Sequence, residues 1–286
     1  MTCTSMNGPL AMFASAVFFS IMAILVKVAG QTLPAAEIIF FRSLVSVVLL
    51  VAMMAGKKDS FRIGSRDKLI FRGVIGGISL VLYFYALTLT TVTNALTLDY
   101  TYPIFAAIFA AMYLNEKFTR DKLVFMAAAF IGLMLIFQFD FSSMNAGDLI
   151  AIAAAVASGA AIVTIRDLGR TDSTMMITLS FVLSGLIFSL LFIPGHFFVP
   201  GFRETMVLLT LGIFGTFGQL LMTYGYKHCS AAQGGIISMS SIVMTAVMAV
   251  FVFGEPLTLN MVLGGLMIFA SAAFFSTKEQ IEEAVR

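Results

Sequence analysis

Charge is what this sequence has least of. Only 11% of its 286 residues are charged and 60% are hydrophobic, whereas a soluble domain carries roughly a quarter charged residues. A water-facing surface is therefore excluded for most of the chain. Cysteine is scarce as well: Cys3 and Cys229 provide neither a disulfide framework nor ligand spacing for a metal. The two histidines, His196 and His228, fall in loops on opposite sides of the expected membrane, and no H-x-x-x-H pair, serine elbow or phosphate loop occurs. Convergent acid–base, nucleophilic or metal chemistry has no residue set to work with, so no enzyme activity, cofactor or metal site is expected. The net charge of +2 carries no signal for a nucleic-acid partner. Tryptophan is missing altogether, while methionine occurs 19 times and offers flexible, adaptable packing.

What the chain does have is long apolar runs. They fall at about 9–29, 35–55, 69–89, 94–114, 121–138, 147–166, 173–194, 205–226, 232–253 and 258–276, each near the ~20 residues a helix needs to cross ~30 Å of hydrocarbon. Backbone polar groups in lipid must be satisfied within the segment, which makes the spans helical. A membrane barrel would alternate apolar and polar residues, and the run Leu149 to Val156 does not alternate. The first span lacks a basic n-region and is too long for a cleaved signal, so it is expected to be retained. The expected fold is an all-α membrane protein of ten transmembrane helices in the lipid bilayer.

Basic residues orient the spans. With a cytoplasmic N-terminus, the inner side holds Lys57, Lys58, Arg62, Arg66, Lys68, Arg72, Lys117, Arg120, Lys122, Arg166, Arg170, Lys227, Lys278 and Arg286, fourteen of the 17. The outer side holds Lys27 and Arg203, and Arg42 lies within the second span. Both termini are expected in the cytoplasm, with 277–286 a short cytoplasmic tail.

Shifted by 139 residues, the chain aligns with itself without gaps. Gly8 meets Gly147, Gly73 and Gly76 meet Gly212 and Gly215, Tyr85 meets Tyr224, Glu116 meets Glu255, Thr119 meets Thr258, and Lys27 meets Arg166. The expectation is two five-helix repeats, 1–139 and 140–276. Five is odd, so the second copy enters the membrane from the opposite side. Such inverted-topology repeats characterise secondary transporters that hold a solute at the repeat interface near the midplane.

Each copy carries a span ending in an acidic turn: Tyr102-Pro103 running to Leu114-Asn115-Glu116-Lys117-Phe118-Thr119, and Phe253-Gly254-Glu255-Pro256-Leu257-Thr258. With Phe40-Phe41-Arg42-Ser43 in the second span, these motifs resemble the EamA-type family of the drug/metabolite transporter superfamily over nearly the whole chain. The resemblance implies ten helices, an inner-membrane location and a central cavity lined mainly by the first, third, fourth, sixth, eighth and ninth spans. It also implies export or uptake of amino acids, nucleoside-like compounds or other small metabolites. One departure is that Pro103 has Ile242 as its repeat mate.

Charge within a span costs at least ~2.5 kcal/mol at the membrane centre. Four candidates call for an explanation: Lys27, Glu37, Arg42 and Asp99. The mates of Glu37, Arg42 and Asp99 are Met176, Phe181 and Ser238, so buried charge is confined to the first copy. Asp99 or Arg42 contacting a polar solute, and Asp99 carrying a coupling proton, stand against an Arg42–Asp99 or Arg42–Glu37 pair that bridges helices. Lys27 can snorkel to the interface, and Glu37 suits a helix start. Tyr100, Tyr102, Tyr83, Tyr85, Gln219, Tyr224 and Ser238 complete the candidate solute contacts, tyrosine giving both an apolar wall and a hydrogen bond. A single serine or threonine is more simply a link between helices, and Gly234–Gly235 is a packing point or a hinge. The reading at this point is an alternating-access carrier of a small polar metabolite, amino acids first. A nucleoside-like solute, a channel and a lipid-headgroup flippase are the alternatives. Oligomeric state is open.

Overall fold

The computed structural model describes residues 7–56, 61, 63–116, 119–139, 144–193 and 197–284. Lys57, Lys58, Arg62, Lys117 and Arg286 from the orientation count, the motif residue Phe118, and Cys3 and His196 lie outside the described residues. Among the described residues no strand occurs. The chain forms α1 (Asn7–Ala29), α2 (Ala35–Met54), α3 (Arg66–Leu89), α4 (Val92–Asp99), α5 (Tyr102–Leu114) and α6 (Arg120–Phe137). It continues as α7 (Ala146–Leu168), α8 (Thr174–Leu190), α9 (Phe202–His228), α10 (Ala231–Ser238), α11 (Ser240–Phe253) and α12 (Leu259–Ala284).

Among the described residues these twelve helices make ten rods, because the fourth and ninth expected spans are each broken in the middle. The fourth breaks at Tyr100 and Thr101, and the ninth at Met239. Eight rods are long and apolar enough to cross a membrane. The remaining two are α8, with 17 residues, and α6, whose first turn carries Arg120, Asp121 and Lys122. The protein is thus a multi-pass helical membrane protein. The last helix runs on to Ala284, past the end of the apolar span at Lys278.

Local chemistry explains where the rods begin and end. The first four N–H groups of a helix have no partner within it, and short polar side chains satisfy them. Thr91 caps α4 by accepting from Asn94 N, and Ser230 caps α10 by accepting from Gln233 N, both at 3.1 Å. Thr119 and Thr258 cap α6 and α12 by accepting from Lys122 N at 3.4 Å and Met261 N at 3.2 Å. Asn145 and Asp148 form a reciprocal capping box at α7. Asp148 is fully buried, yet its carboxylate also accepts from Thr90 Oγ1 at 2.6 Å. The helices α5 and α11 both end in a left-handed residue, Asn115 at φ 54° and Gly254 at φ 68°, residue types that tolerate this conformation.

Packing follows small residues, since lipid provides no hydrophobic drive between helices and close backbone approach does. The pair α6 and α12 meets backbone to backbone: a Cβ on Gly132 would lie 2.6 Å from the Gly264 carbonyl oxygen. The broadest contacts join α1 to α9 and α3 to α7. Between Gly234 and Tyr226 there is likewise no room, since a Cβ would come within 2.5 Å of the ring. The largest buried cluster draws mainly on α5, α6, α7 and α9 to α12, with Met12, Leu69 and Ile177 from α1, α3 and α8, and the breaks in the fourth and ninth spans lie beside it.

Candidate functional site

The two breaks face each other. Asp99 is the last residue of α4 and Ser238 the last of α10. Across the gap the Tyr102 hydroxyl hydrogen-bonds the Ser238 hydroxyl at 2.5 Å, and Ser238 donates to the Gly235 carbonyl at 2.7 Å. Beside this link lies a cavity of about 210 Å³. Its polar lining is Arg72, Ser79, Tyr83, Asp99, Tyr102, Ser158 and Gln219, and its apolar wall includes Leu80, Ile162, Phe181 and Met222. Four rods supply most of it: α3, the broken fourth span, α7 and α9.

Two opposite charges open into this cavity without pairing. Arg72 is 3% exposed, and its Nε and Nη1 have no hydrogen-bond partner among the described residues. Asp99 Oδ1 is also buried without a partner, as is Gln219 Nε2. No ion pair joins Arg72 to Asp99 among the described residues. The guanidinium is held from one side, with Cζ 4.6 Å above the Phe181 ring, a cation–π contact worth ~0.5–2 kcal/mol. Gly76, one turn further along α3, makes the space: a Cβ there would meet Arg72 Nη1 at 2.5 Å and Phe181 at 2.8 Å. The serines are internally tied, Ser79 to Ser158 at 2.6 Å and to the Ala154 carbonyl at 3.0 Å.

The sequence-derived candidates divide. Asp99, Tyr102, Tyr83 and Gln219 line the cavity, Ser238 is bonded to Tyr102, and Tyr100 packs 6.3 Å from the Tyr102 ring. Tyr85 points away and is 52% exposed. Tyr224 stacks on His228 at 4.2 Å and is no part of the cavity wall. The expected helix-bridging pairs of Arg42 are not formed: Arg42 has no ion pair with Glu37 or Asp99 among the described residues. It packs instead on α9, where a Cβ on Gly215 would lie 3.1 Å from its Nε. Glu37 sits in the first turn of α2, fully buried, and accepts from Phe198 N at 3.1 Å. Lys27 pairs with Glu255 and lies 4.4 Å over the Phe253 ring. Arg72, counted above among the inner-side basic residues, is the charged cavity residue that sequence reasoning missed. Its helix begins at Arg66, six residues earlier and therefore ~9 Å along the axis. Gly76 one turn on, leaving the arginine room, was the available signal.

A model of the EamA-like transporter family matches the chain twice, over residues 6–138 and 145–277. The chain belongs to the EamA-like transporter family. Among its EamA relatives is the pseudopaline exporter CntI of Pseudomonas aeruginosa (strain UCBPP-PA14), 30% identical over 276 residues, covering 96% of this chain and 97% of that one. The S-adenosylmethionine uptake transporter of Rickettsia prowazekii (strain Madrid E) is 24% identical, over 97% of this chain and 95% of that one. A solved crystal structure shares the fold at a TM-score of 0.81 and 17% identity, covering 94% of this chain and 96% of the other. Family membership and these relatives support a transport role.

Proposed function

We propose that this EamA member is an alternating-access carrier of small zwitterionic metabolites, amino acids and their close derivatives, across an inner membrane, with both termini cytoplasmic. The observation that carries this reading is the unpaired Arg72 and Asp99 lining one cavity with Gln219. Buried charge is costly unless partnered, and a solute bearing a carboxylate and an ammonium would partner both ends at once. The cavity volume of about 210 Å³ is under the roughly 300–1,000 Å³ of sites for drug-sized ligands, which favours a small solute. Transport direction does not transfer from the relatives, one of which is an exporter and another an uptake transporter.

The carrier reading includes two inverted five-helix repeats, 1–139 and 140–276. Contacts related by the 139-residue shift support them. Gly8 abuts His228 and Cys229 while Gly147 abuts Leu89 and Thr90; Gly76 abuts Phe181 while Gly215 abuts Arg42. The helix breaks, the Thr91 and Ser230 caps and the left-handed residues Asn115 and Gly254 are mates as well. Halves that exchange conformations would turn the cavity from one face to the other. In this reading Asp99 is also the candidate for a coupling proton.

A second reading, an amphipathic or lipid-headgroup solute, is favoured by a groove of about 940 Å³ between α3, α5 and α7. Its wall residues Phe71 and Tyr113 are 52% and 71% exposed, and Lys68 pairs with Asp167 at 2.6 Å.

Counterflow distinguishes these readings. Purified protein in liposomes preloaded with unlabelled amino acids is expected to accumulate labelled amino acid saturably, with Arg72→Gln raising the half-saturating concentration and Asp99→Asn abolishing this or its pH dependence. Folded protein that moves no amino acid above empty liposomes would overturn the zwitterion reading. Flux without counterflow would indicate a channel, and movement of labelled lipid alone a flippase.

A further inference from the structure

Of the ion pairs that tie the first half of the chain to the second, two are related by the 139-residue shift. On α1, Lys27 bonds Glu255, which follows the left-handed end of α11. On α7, Arg166 meets Glu116, which follows the left-handed end of α5, at 2.5 Å. Lys27 and Arg166 are mates under the 139-residue shift, and so are Glu255 and Glu116. Each pair is therefore the other with its halves exchanged: cation from one copy, carboxylate from the other. Five spans separate the mates, so the two pairs fall at opposite membrane faces, with the Arg72–Asp99 cavity between them.

We infer that Lys27–Glu255 and Arg166–Glu116 are the outer and inner locks of the transport cycle, each holding one face closed while the other opens; this rests on the carrier reading above. Both carboxylates follow the fourth and ninth spans, the two that break beside the cavity. A bend at either break therefore moves a lock carboxylate relative to its cation. The cations sit at the ends of unbroken helices, α1 and α7, and provide the fixed side.

The locks are unequal. Side chains of the outer pair are 49% and 40% exposed, those of the inner pair 21% and 16%. The inner lock also gathers more backbone: Arg166 donates to the Tyr226 carbonyl at 3.1 Å, and Glu116 accepts from Ala231 N at 3.3 Å. It thus joins α5, α7, α9 and α10 at one point. Among the described residues the outer lock adds the Lys27–Phe253 ring contact. Exposed pairs are worth ~0.2–1 kcal/mol, so releasing the outer lock shifts the balance of conformations by up to about fivefold. The inner release shifts it further.

The test reads cavity access and needs no known solute. In a Cys3→Ser, Cys229→Ala background, a reporter Met222→Cys on the cavity wall is labelled by a membrane-impermeant maleimide from the outside of cells and from the outside of inverted vesicles. Lys27→Gln or Glu255→Gln is expected to speed labelling from the outer face and slow it from the inner face. Arg166→Gln or Glu116→Gln is expected to do the reverse, by a larger factor. The charge-swapped double variant Lys27→Glu with Glu255→Lys is expected to return the rates toward the parent. Unchanged sidedness in monodisperse single variants would overturn the locks while leaving the carrier standing, and so would a swapped pair no closer to the parent than either single variant. Passage of the impermeant maleimide through the parent into sealed liposomes, the sign of a path open to both faces at once, would overturn the alternating-access reading itself, and the locks with it.

Discussion

Gly76→Ala adds one methyl group at the point where the site is tightest. The new Cβ would stand 2.5 Å from Arg72 Nη1 and 2.8 Å from the Phe181 ring, so the stack with Cζ 4.6 Å above that ring cannot persist. The nearest atom ends a flexible side chain, so the guanidinium gives way before the backbone does. Overpacking costs ~1–3 kcal/mol, and replacing a helical glycine by alanine returns ~1 kcal/mol. The fold therefore loses little, within about 2 kcal/mol. The site loses more. A hydrogen bond to a charged group is worth ~1.5–3 kcal/mol, and displacing the guanidinium weakens solute binding by about 10- to 150-fold at ~1.4 kcal/mol per decade. Amino-acid counterflow is measured against concentration for the parent, Gly76→Ala, Arg72→Gln and the double variant. If Gly76 acts by admitting Arg72, the double variant is no worse than Arg72→Gln, a coupling of at least ~1 kcal/mol. Additive losses would refute the reasoning. Gly215→Ala is the internal control: its nearest atoms are Met22 Sδ at 3.0 Å and Arg42 Nε at 3.1 Å, and a small effect is expected.

Other perturbations separate fold from site. Gly132→Val places carbon 2.6 Å from the Gly264 carbonyl oxygen, a backbone atom that cannot swing aside, so α6 and α12 part and the detergent-solubilised protein melts at a clearly lower temperature. Asp148→Ala strips the acceptor from Asn145 N and Thr90 Oγ1 at a site with no exposure; a loss of ~1–3 kcal/mol is expected by thermal melting, with the concentration dependence of counterflow unchanged. If Asp99 carries the coupling proton, transport by the parent should vary with pH, and Asp99→Asn should be inactive or flat across the same pH series. A parent pH profile retained by Asp99→Asn would remove Asp99 from the mechanism.

The spans were legible because the signal is long and redundant. The second, expected over 35–55, runs Ala35–Met54, and the ninth, expected over 232–253, spans Ala231–Phe253 with its break. The breaks themselves were not legible. Asp99-Tyr100-Thr101 and Ser238-Met239 contain neither proline nor glycine, and Pro103 stands at the start of α5, where a missing N–H costs nothing. The site was half legible. Asp99 drew attention because charge in an apolar run is conspicuous, and Tyr83, Tyr102 and Gln219 followed from their helices. Arg72 escaped because the apolar run starts at Leu69 but the helix starts at Arg66, which made a deeply set arginine look like a basic loop residue. The side chains of Tyr85 and Arg42 depend on how each helix is rotated, and rotation is settled by contacts such as Arg42 on Gly215 that no single span encodes.

The broken fourth span also bears on how the protein is made. Its sequence, Val92–Leu114, is the least apolar of the eight long segments, and the interruption at Tyr100 and Thr101 leaves it without one continuous ladder of backbone bonds. Both of its pieces rest on α7, and Gly159 of α7 lies so close that a Cβ there would be 2.8 Å from Ala106 N. Yet α7 follows α4 and α5 in the chain and is synthesised after them. During translation this span enters the membrane before the surface that shelters it exists. A chain cut at the junction between the two family matches, near residue 140, would therefore leave that span the first to slip out of the bilayer. The measurable sign is a glycosylation tag placed after residue 116 that reports mixed topology in the truncated chain and a single topology once α7 is restored.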